Sequence, residues 1–339
     1  TLTKSGYENI TEVCNTGNSR CGTNPTINYG IEAHHYKGTV DFRDFTSYNG
    51  CTFQLYIHKS DRTSGITTIN SESENIYTFA LINPWVESVN SPKFEDNPKI
   101  IFHADQATYA TTHANGNNDD SLVYKWAAPL TDYQTPVNYN TSFTASRWMT
   151  AYCPSGGNSC SPNPNVTPAI GLYLNPSTGD YVVIPTQSGE KTVRVIEVEQ
   201  WRWHNGAYYL AGMVRQESAA IVISAPVNNA PTLTSNLTYT ACVGQPFNAT
   251  IPVSDAPTTP QSSQDSVFLT FEHEVPGLSA TNNTPITAPY AEAALAFTPT
   301  ANQIGTHYVK IIARDNQCPV FAQTIRTVVI TVVPKPTVT

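Results

Sequence analysis

The sequence predicts an all-β fold, and its composition and the spacing of its apolar segments are the observations that predict it. Of 339 residues, 44 are Thr, 29 are Asn and 25 are Pro, whereas charged residues make up only 13%. Thr, Asn and Pro are poor helix formers but are common in strands or in tight turns. Short apolar segments recur at regular intervals between Gly, Pro and Asn, which is typical of strands joined by turns.

The charge and hydropathy patterns argue against two classes of partner. The formal net charge is −8 and no run of Lys or Arg occurs, which argues against a nucleic-acid partner. No apolar stretch approaches the ~18 residues that a membrane-spanning helix requires, so we expect no membrane insertion. The length corresponds to two or three domains of ordinary size.

Residues 1–89 are the first predicted region, a β-rich N-terminal region. Residues 1–26 are rich in Asn, Gly and Thr and contain no long strand segment. Strand segments follow at 39–42, 52–57 and 76–82. Three strands are too few for a full sandwich, so we expect an incomplete domain or one completed by a strand from elsewhere.

The two later regions, 90–227 and 228–339, are related by an internal repeat. Matched residues lie 139 positions apart at the start of the repeat and 145 positions apart further along. The matched positions are Asn90-Ser91-Pro92 with Asn229-Ala230-Pro231, His103 with Cys242, Gln106 with Gln245, and Asp120-Ser121-Leu122 with Asp265-Ser266-Val267. Two domains of common design therefore follow each other along the chain.

Each repeat contains six or seven short strand segments separated by turn signals, including an Asn205-Gly206 hairpin turn. The first repeat has segments at 100–102, 122–126, 171–174, 181–184, 192–198, 208–214 and 219–223. The second has them at 238–242, 247–253, 267–271, 293–297, 306–314 and 327–333. This number of strands in each region predicts tandem β-sandwiches of the immunoglobulin or cadherin type.

Seven Cys residues are spaced as in a protein of an oxidising compartment, which predicts an extracellular or cell-surface location. Two pairs enclose short turns, and a third pair flanks the second sandwich, where a bridge closes a long loop. The predicted bridges are Cys14–Cys21, Cys153–Cys160 and Cys242–Cys318. Cys51 is left over, and we expect it to be a buried free thiol rather than an intermolecular bridge.

Three Asp residues at strand ends of the second sandwich, Asp255, Asp265 and Asp315, are candidate calcium ligands. Ca²⁺ is bound by several oxygen atoms, usually carboxylates held on adjoining loops. The alternative is that these side chains cap turns through hydrogen bonds to the backbone.

Several short motifs occur in a fixed order along the two repeats. They are Asn90-Ser91-Pro92, Gln106, 120–124, 242–247 and 313–319. Their order resembles a repeated pattern in large Ig/cadherin-like surface proteins of Bacteroidota, those associated with gliding motility or exported as type IX secretion cargo. The resemblance covers about 300 residues and implies a surface-exposed adhesive or structural β-protein rather than an enzymatic activity.

The resemblance also has consequences for individual positions. Gly116 and Asn118 stand where the resembling proteins carry Asp, so any calcium site is expected in the second sandwich rather than the first. His103 stands where those proteins carry Cys. Ser121 and Ser266 fit the Asp-Ser-apolar acceptor pattern of Bacteroidota O-glycosylation, although turn chemistry is an alternative reason for their matched places.

The sequence contains no nucleophile elbow, zinc-protease motif or phosphate loop, so we expect a non-enzymatic protein. Glu197 and Glu199 share one strand face, but glycosidases require two carboxyl groups that face each other across a cleft. We expect these two side chains to lie on a solvated strand edge.

Aromatic residues concentrate near the predicted hairpin turn. Trp201, Trp203 and Tyr209 are expected on one sheet face, with Tyr208 on the other. Such a set either forms a platform on which sugars stack or packs in the sandwich core, and we expect core packing.

The predicted function is that of an extracellular structural or adhesive protein, a subunit or segment of a cell-surface fibre. The alternative is a carbohydrate-binding module attached to a secreted hydrolase, with surface glycans as its ligands. The expected partner is a second copy of the chain, joined head to tail, or a neighbouring domain of a longer chain. In the head-to-tail hypothesis, the N-terminal region exposes an open sheet edge, and the C-terminal end of a neighbour, the 327–333 strand with its tail, completes it. Deletion of residues 1–26 or of 334–339 is then expected to abolish polymers.

Overall fold

The structure is a computed structural model. It describes residues 2–14, 17–48, 50–60, 62–70, 74–84, 90–116, 120–224, 229–233, 236–255, 266–282, 290–316 and 320–335. These residues form strands and loops, with two short 3₁₀ helices at Phe42–Tyr48 and Ala301–Gln303, which confirms the predicted all-β class. No helix in this described part has the length and apolar character needed to cross a membrane.

The first fifteen strands are β1 (Thr3–Asn9), β2 (Glu32–Lys37), β3 (Phe53–Lys59), β4 (Ile76–Ile82), β5 (Lys93–Phe94), β6 (Ile101–His103), β7 (Thr108–Thr111), β8 (Ala114–Asn115), β9 (Ser121–Ala127), β10 (Leu130–Asp132), β11 (Thr135–Pro136), β12 (Tyr173–Leu174), β13 (Asp180–Val183), β14 (Lys191–His204) and β15 (Ala207–Ile223). The others are β16 (Thr232–Leu233), β17 (Thr238–Cys242), β18 (Phe247–Ser254), β19 (Phe268–His273), β20 (Ser279–Asn282), β21 (Tyr290–Phe297), β22 (Gly305–Arg314) and β23 (Gln323–Val333).

The chain forms two compact units. The first contains residues 1–11, 30–107 and 112–225, and the second contains 12–29, 108–111 and 226–339. The strands of the predicted N-terminal region thus group with the first repeat. The segment predicted as a strand at 39–42 instead leads into the first 3₁₀ helix.

An eight-stranded sheet dominates the first unit. β9, β14 and β15 pair antiparallel, and the 17-residue β15 is long enough to pair with two strands along its other edge. β6 pairs with it in parallel near its C-terminal end, and β4 pairs with it antiparallel near its middle. β3 then pairs with the whole length of β4, from Phe53↔Ile82 to Lys59↔Ile76. The sheet therefore ends at β3.

A buried arginine lies in the core of the first unit. Arg194 is 1% exposed, and its guanidinium carbon lies 4.7 Å from the ring centroid of Tyr181 and 5.1 Å from that of Trp148. Its Nε donates to the hydroxyl of Ser218 (3.1 Å) and its Nη2 to the carbonyl of Lys99 (2.7 Å). Aromatic faces and these acceptors compensate part of the cost of burying the charge.

The second unit is a β-sandwich of two four-stranded sheets, ordered β16-β18-β21-β20 and β17-β23-β22-β19. Ile251, Leu295, Ile311 and Ile330 are among the fully buried side chains of the common core. β18 alternates strictly between buried and exposed residues, as a strand with one face on a core requires. The predicted sandwich architecture is confirmed here.

The two units share one local structure at the repeat positions His103 and Cys242. Each residue ends a strand that pairs in parallel with the last long strand of its sheet, His103 with Ile223 and Cys242 with Val333. The next residue in each copy donates its N–H to that same partner's carbonyl, at 2.9 and 3.0 Å. A residue with positive φ follows in both turns, 60° at Asp105 and 74° at Gly244. The predicted repeat thus corresponds to a repeated backbone arrangement.

Candidate interaction surfaces

Strand β3 is an open edge of the main sheet. Leu55, Tyr56 and Ile57 are 43%, 62% and 50% exposed, so apolar side chains are accessible on both faces of this strand. Among the described residues, β3 pairs with β4 alone, and its other edge bonds no strand. An exposed apolar edge strand presents free N–H and C=O groups, which makes it a template for another strand.

Aromatic contacts hold β3 in place. The ring of Phe53 lies 5.0 Å from that of Phe42 and 5.7 Å from that of Phe45, both in the first 3₁₀ helix. Tyr56 stacks on the buried Tyr77 of β4 with ring centroids 5.2 Å apart. The edge is therefore preformed, and a partner strand need not order it first.

Strands β1 and β2 form a separate two-stranded ribbon. They pair antiparallel from Thr3↔Lys37 to Asn9↔Glu32, with an irregularity between Lys4 and Gly6. Nearly all of its residues are exposed. A two-stranded ribbon alone is marginally stable in water, so this ribbon would gain stability by joining a sheet.

The β14–β15 hairpin ends in an exposed aromatic tip. Its two-residue turn is Asn205-Gly206, with φ values of 50° and 83° that suit the predicted hairpin turn. Trp203 and Tyr208 are directly opposite each other across the strands, and each is 58% exposed. Their rings lie 4.9 Å apart at an angle of 67°.

The tip differs from the predicted aromatic face in two respects. Trp203 shares its face with Tyr208, whereas Tyr209 pairs with Arg202 and lies on the opposite face. The prediction that Tyr209 rather than Tyr208 shares a face with Trp203 is therefore wrong. Tyr209 is also 47% exposed, so core packing of Trp203, Tyr208 and Tyr209 is wrong too. Only Trp201 is half-buried, where its Nε1 donates to Glu199 (2.9 Å).

A buried carboxylate anchors the base of this hairpin. Asp120 has no exposed side-chain surface and accepts from Arg202 through Nε (2.7 Å) and Nη2 (2.9 Å). The side-chain amide of Gln200 also donates to Asp120. Because three side-chain donors converge on it, Asp120 fixes the point where the hairpin leaves the sheet.

Glu197 and Glu199 do not lie on a solvated edge, because β14 runs between β9 and β15. Glu197 lies 3.7 Å from Arg215 on β15, and Glu199 is 2.6 Å from Lys125 on β9. The pKa of Glu197 is raised above its ordinary value, because the effect of burial outweighs the opposing charge of Arg215. Both carboxylates are engaged by cations of neighbouring strands, an arrangement that stabilises the sheet rather than one that faces a substrate.

A cleft of about 330 Å³ lies beside these charges and is lined in part by Arg62, Arg215 and Glu217. The side chains of Arg62 and Glu217 are 2% and 9% exposed and form an ion pair. The pKa of Glu217 is raised above its ordinary value, because the effect of burial outweighs the opposing hydrogen bond from Arg62. The charges of this cleft are therefore compensated within the protein.

The cysteines agree with one of the three predicted bridges. Cys153 and Cys160 are joined, with their Cα atoms 5.6 Å apart. Cys21 and Cys242 carry free thiols, so the pairings Cys14–Cys21 and Cys242–Cys318 are wrong. Cys14 is buried and disulfide-bonded, whereas Cys21 is exposed, so the two side chains do not share an environment. Cys318 lies outside the described residues.

Cys51 is a free thiol, as expected, but it is exposed rather than buried. It lies two residues before the start of β3. Its position in the loop that leads into an edge strand keeps its side chain out of the core.

The candidate calcium ligands remain a hypothesis. Asp255 and Asp315 are buried, and Asp265 lies outside the described residues. Oδ1 of Asp315 accepts from the N–H of Ala322 (3.0 Å), which agrees with the turn-capping alternative. Within the described ranges, no three His, Cys, Asp or Glu side chains come together as a metal site requires.

The two candidate glycosylation sites differ in accessibility. Ser121 is exposed at the first position of β9, next to the buried Asp120. Ser266 is half-buried, and its N–H donates to the side chain of Asn316 (3.1 Å). Modification of either residue remains a prediction, with Ser121 the more accessible.

Comparisons with known proteins leave the function to be argued from these residues. No family model matches the sequence, and no curated protein matches it. An endo-fucoidan hydrolase of glycoside hydrolase family 107 is 12% identical over 85% of this chain, at a TM-score of 0.25, and the match spans only 42% of the hydrolase. Drosophila N-cadherin EC1-4 is 12% identical over 98% of this chain and 67% of the cadherin, at a TM-score of 0.23. The Dpr2 Ig1-Ig2 complex with DIP-Theta Ig1-Ig3 is 10% identical over 73% of this chain and 100% of that one, at a TM-score of 0.27. Scores this low carry no functional argument.

Proposed function

We propose that the protein is an extracellular structural or adhesive subunit of a cell-surface fibre. In this proposal the β1–β2 ribbon of one copy adds to the open β3 edge of the next copy. The observation that carries the proposal is the exposed, apolar edge of β3, which pairs with no strand but β4 in the described part of the chain. The Cys153–Cys160 bridge supports an oxidising, extracellular location.

Strand addition suits these two elements. Main-chain hydrogen bonds supply affinity in such contacts, and side chains at alternate positions supply specificity. Leu55 and Ile57 project from one face of β3 and Tyr56 from the other, so an added strand would cover apolar surface on both faces. Because donor and acceptor are different surfaces, the contact is heterologous and generates an open chain of subunits.

The 327–333 segment is a poor donor. It belongs to β23, which pairs with β17 along one edge and with β22 along the other. Both edges are therefore already hydrogen-bonded within the second unit. Residues 336–339 lie outside the described residues, so the ribbon at Thr3–Asn9 and Glu32–Lys37 is the donor we favour.

A charge placed on the edge tests the acceptor. Ile57→Lys should abolish polymers seen by sedimentation velocity and electron microscopy of the purified chain, because a Lys on an edge strand opposes pairing. Ile304→Lys is the matched control, since Ile57 and Ile304 are 50% and 51% exposed and Ile304 lies in the second unit. Polymers that persist in Ile57→Lys, or that disappear equally in Ile304→Lys, would contradict the proposal.

Removal of the donor gives an independent test. A chain that begins at residue 10 lacks β1 and should remain monomeric while it still unfolds with the wild-type melting temperature. Mixed with wild-type chain, it should cap growing polymers, because its β3 edge is intact. Unchanged polymer length in such mixtures would exclude β1 as part of the donor.

A further inference from the structure

The geometry points to a carbohydrate-binding site at the tip of the β14–β15 hairpin, where Trp203 and Tyr208 hold a neutral sugar. This site lies apart from the β3 edge and does not depend on the proposed polymer.

The aromatic tip of the hairpin extends beyond the neighbouring strands that pair with its base. β9 pairs with β14 only as far as Trp201, and β4 pairs with β15 only from Gly212 onward. Among the described residues, the segment from Arg202 to Tyr209 is paired only with itself. Side chains on both faces of the tip are exposed, 58% at Tyr208 and 47% at Tyr209, and its base is fixed by the Arg202–Asp120 ion pair.

The arrangement of the two rings suits a sugar. Trp203 and Tyr208 meet edge to face at 67°, so they do not cover each other as parallel stacked rings would, and both side chains stay 58% exposed. The negative face of an aromatic ring attracts the C–H groups on the face of a pyranose, while water solvates the sugar's hydroxyl groups. Beside these rings, the Nδ2 of Asn205 lies 2.9 Å from the Nε2 of His204, and the other polar atoms of these two exposed side chains are partners for sugar hydroxyls.

The charge of the tip favours a neutral sugar. Residues 203–210 contain no Lys, Arg, Asp or Glu. Arg202, the residue just before this segment, is engaged by Asp120. The residues of the tip therefore offer an acidic polysaccharide no unpaired cation, and recognition would rest on stacking and on neutral hydrogen bonds.

The exposed area favours a small ligand over a second protein. At 58% exposure, the two rings present roughly 170–290 Å² together, since a large aromatic side chain offers about 150–250 Å² in full. A stable protein interface needs about 800 Å² from each partner. One or two sugar rings match the area that the tip offers.

Affinity electrophoresis of the full chain tests this inference. The gels contain a neutral polysaccharide (laminarin, galactomannan or xyloglucan) or the acidic polygalacturonate. We expect one or more neutral gels to retard the wild-type chain and the acidic gel to leave it unretarded. Trp203→Ala should weaken binding of oligosaccharides from the retarding polysaccharide by roughly 10- to 100-fold in calorimetry, and Tyr208→Ala by a smaller factor.

Tyr290→Ala is the matched control, because Tyr290 and Tyr208 are both 58% exposed and Tyr290 lies on β21 of the second unit. This variant should bind like the wild type, and thermal melts should show that all three variants are folded. Failure of every neutral polysaccharide to retard the chain, retention only by polygalacturonate, or unchanged binding in Trp203→Ala would overturn the inference. Loss of self-association in Trp203→Ala without any sugar binding would also overturn it. Ile57→Lys should bind sugar like the wild type, because Ile57 lies on β3 and not at the hairpin tip. This variant therefore separates the outcome of the sugar-binding test from that of the polymer test.

Discussion

Arg62 and Glu217 form a two-bond ion pair that joins positions 155 residues apart in the sequence. Nε of Arg62 donates to Oε1 of Glu217 at 2.8 Å and Nη2 to Oε2 at 3.1 Å. Arg62 also donates to the carbonyls of Leu130 (2.6 Å) and Asn75. Because the side chains of Arg62 and Glu217 are only 2% and 9% exposed, this ion pair fixes the segment between β3 and β4 against the middle of β15.

Loss of one member of this pair should be costly. Arg62→Met should lower the free energy of unfolding by about 3–5 kcal/mol, because Glu217 would keep a buried and uncompensated charge. The double variant Arg62→Met/Glu217→Leu should recover much of that loss. Urea denaturation of the three chains measures both effects. A single variant that loses less than about 1 kcal/mol would show that the pair is not held as described.

His103 should make the stability of the first unit depend on pH. Burial, together with the charge of Lys99, lowers its pKa to about 4, and both ring nitrogens lack a hydrogen-bond partner among the described residues. Between pH 6.5 and 4 the unfolded chain binds a proton that the folded chain does not, so stability falls as pH falls. Over the whole of this pH range, the free energy of unfolding should fall by about 3 kcal/mol.

The variant His103→Leu isolates this effect. As the pH is lowered from 7 to 4, the unfolding free energy of the wild type should fall relative to that of the variant, which lacks the titrating imidazole. Equilibrium urea curves at four pH values measure it. A difference that stays constant over this range would mean that His103 titrates normally in the folded chain.

The free thiols give a direct test of the cysteine assignments. Under native conditions, iodoacetamide should modify Cys21 and Cys51 quickly, since both are exposed, and Cys242 more slowly, since it is half-buried. Peptide mapping by mass spectrometry should find Cys153 and Cys160 still joined. Native chain with no reactive thiol, or with Cys21 linked to Cys14, would refute the assignments.

Calcium binding by the second unit is tested by thermal melts. If Asp255, Asp265 and Asp315 bind Ca²⁺, chelator should lower the melting temperature of the transition that belongs to this unit. Asp315→Asn should abolish the shift, although it keeps an acceptor for the N–H of Ala322. Melts that are identical with calcium and with chelator would leave turn capping as the role of Asp315.

Local features of the fold could be predicted from the sequence because they depend on neighbouring residues. The Asn205-Gly206 turn forms as predicted, since both residues tolerate the positive φ that a two-residue hairpin requires. The match of His103 with Cys242 also proved structural, because each begins the same turn. The strand segments at 208–214 and 219–223 merge into one strand, since the polar residues between them lie within the ladder.

Other features depend on contacts that sequence spacing does not reveal. Between the two-residue turn and a register shift at Gln200/Trp201, odd-numbered residues of β14 pair with even-numbered residues of β15, so Tyr208 rather than Tyr209 faces Trp203. Cys14 and Cys21 are close in sequence, but one is buried and bonded and the other is exposed and free. Glu197 and Glu199 gain their partners from strands β9 and β15, and no local pattern indicates those partners.

The parallel pairing of β17 with β23 has a mechanical consequence for the second unit under tension. Five residue pairs, from Thr238↔Val329 to Cys242↔Val333, join the first long strand of the second unit to its last. Tension between the two ends of this unit would pull these parallel strands in opposite directions along their length. The ladder would be loaded in shear, so its hydrogen bonds would have to fail together rather than open one at a time. The geometry of this sandwich thus resists stretching where a hairpin pulled from its open end would unzip.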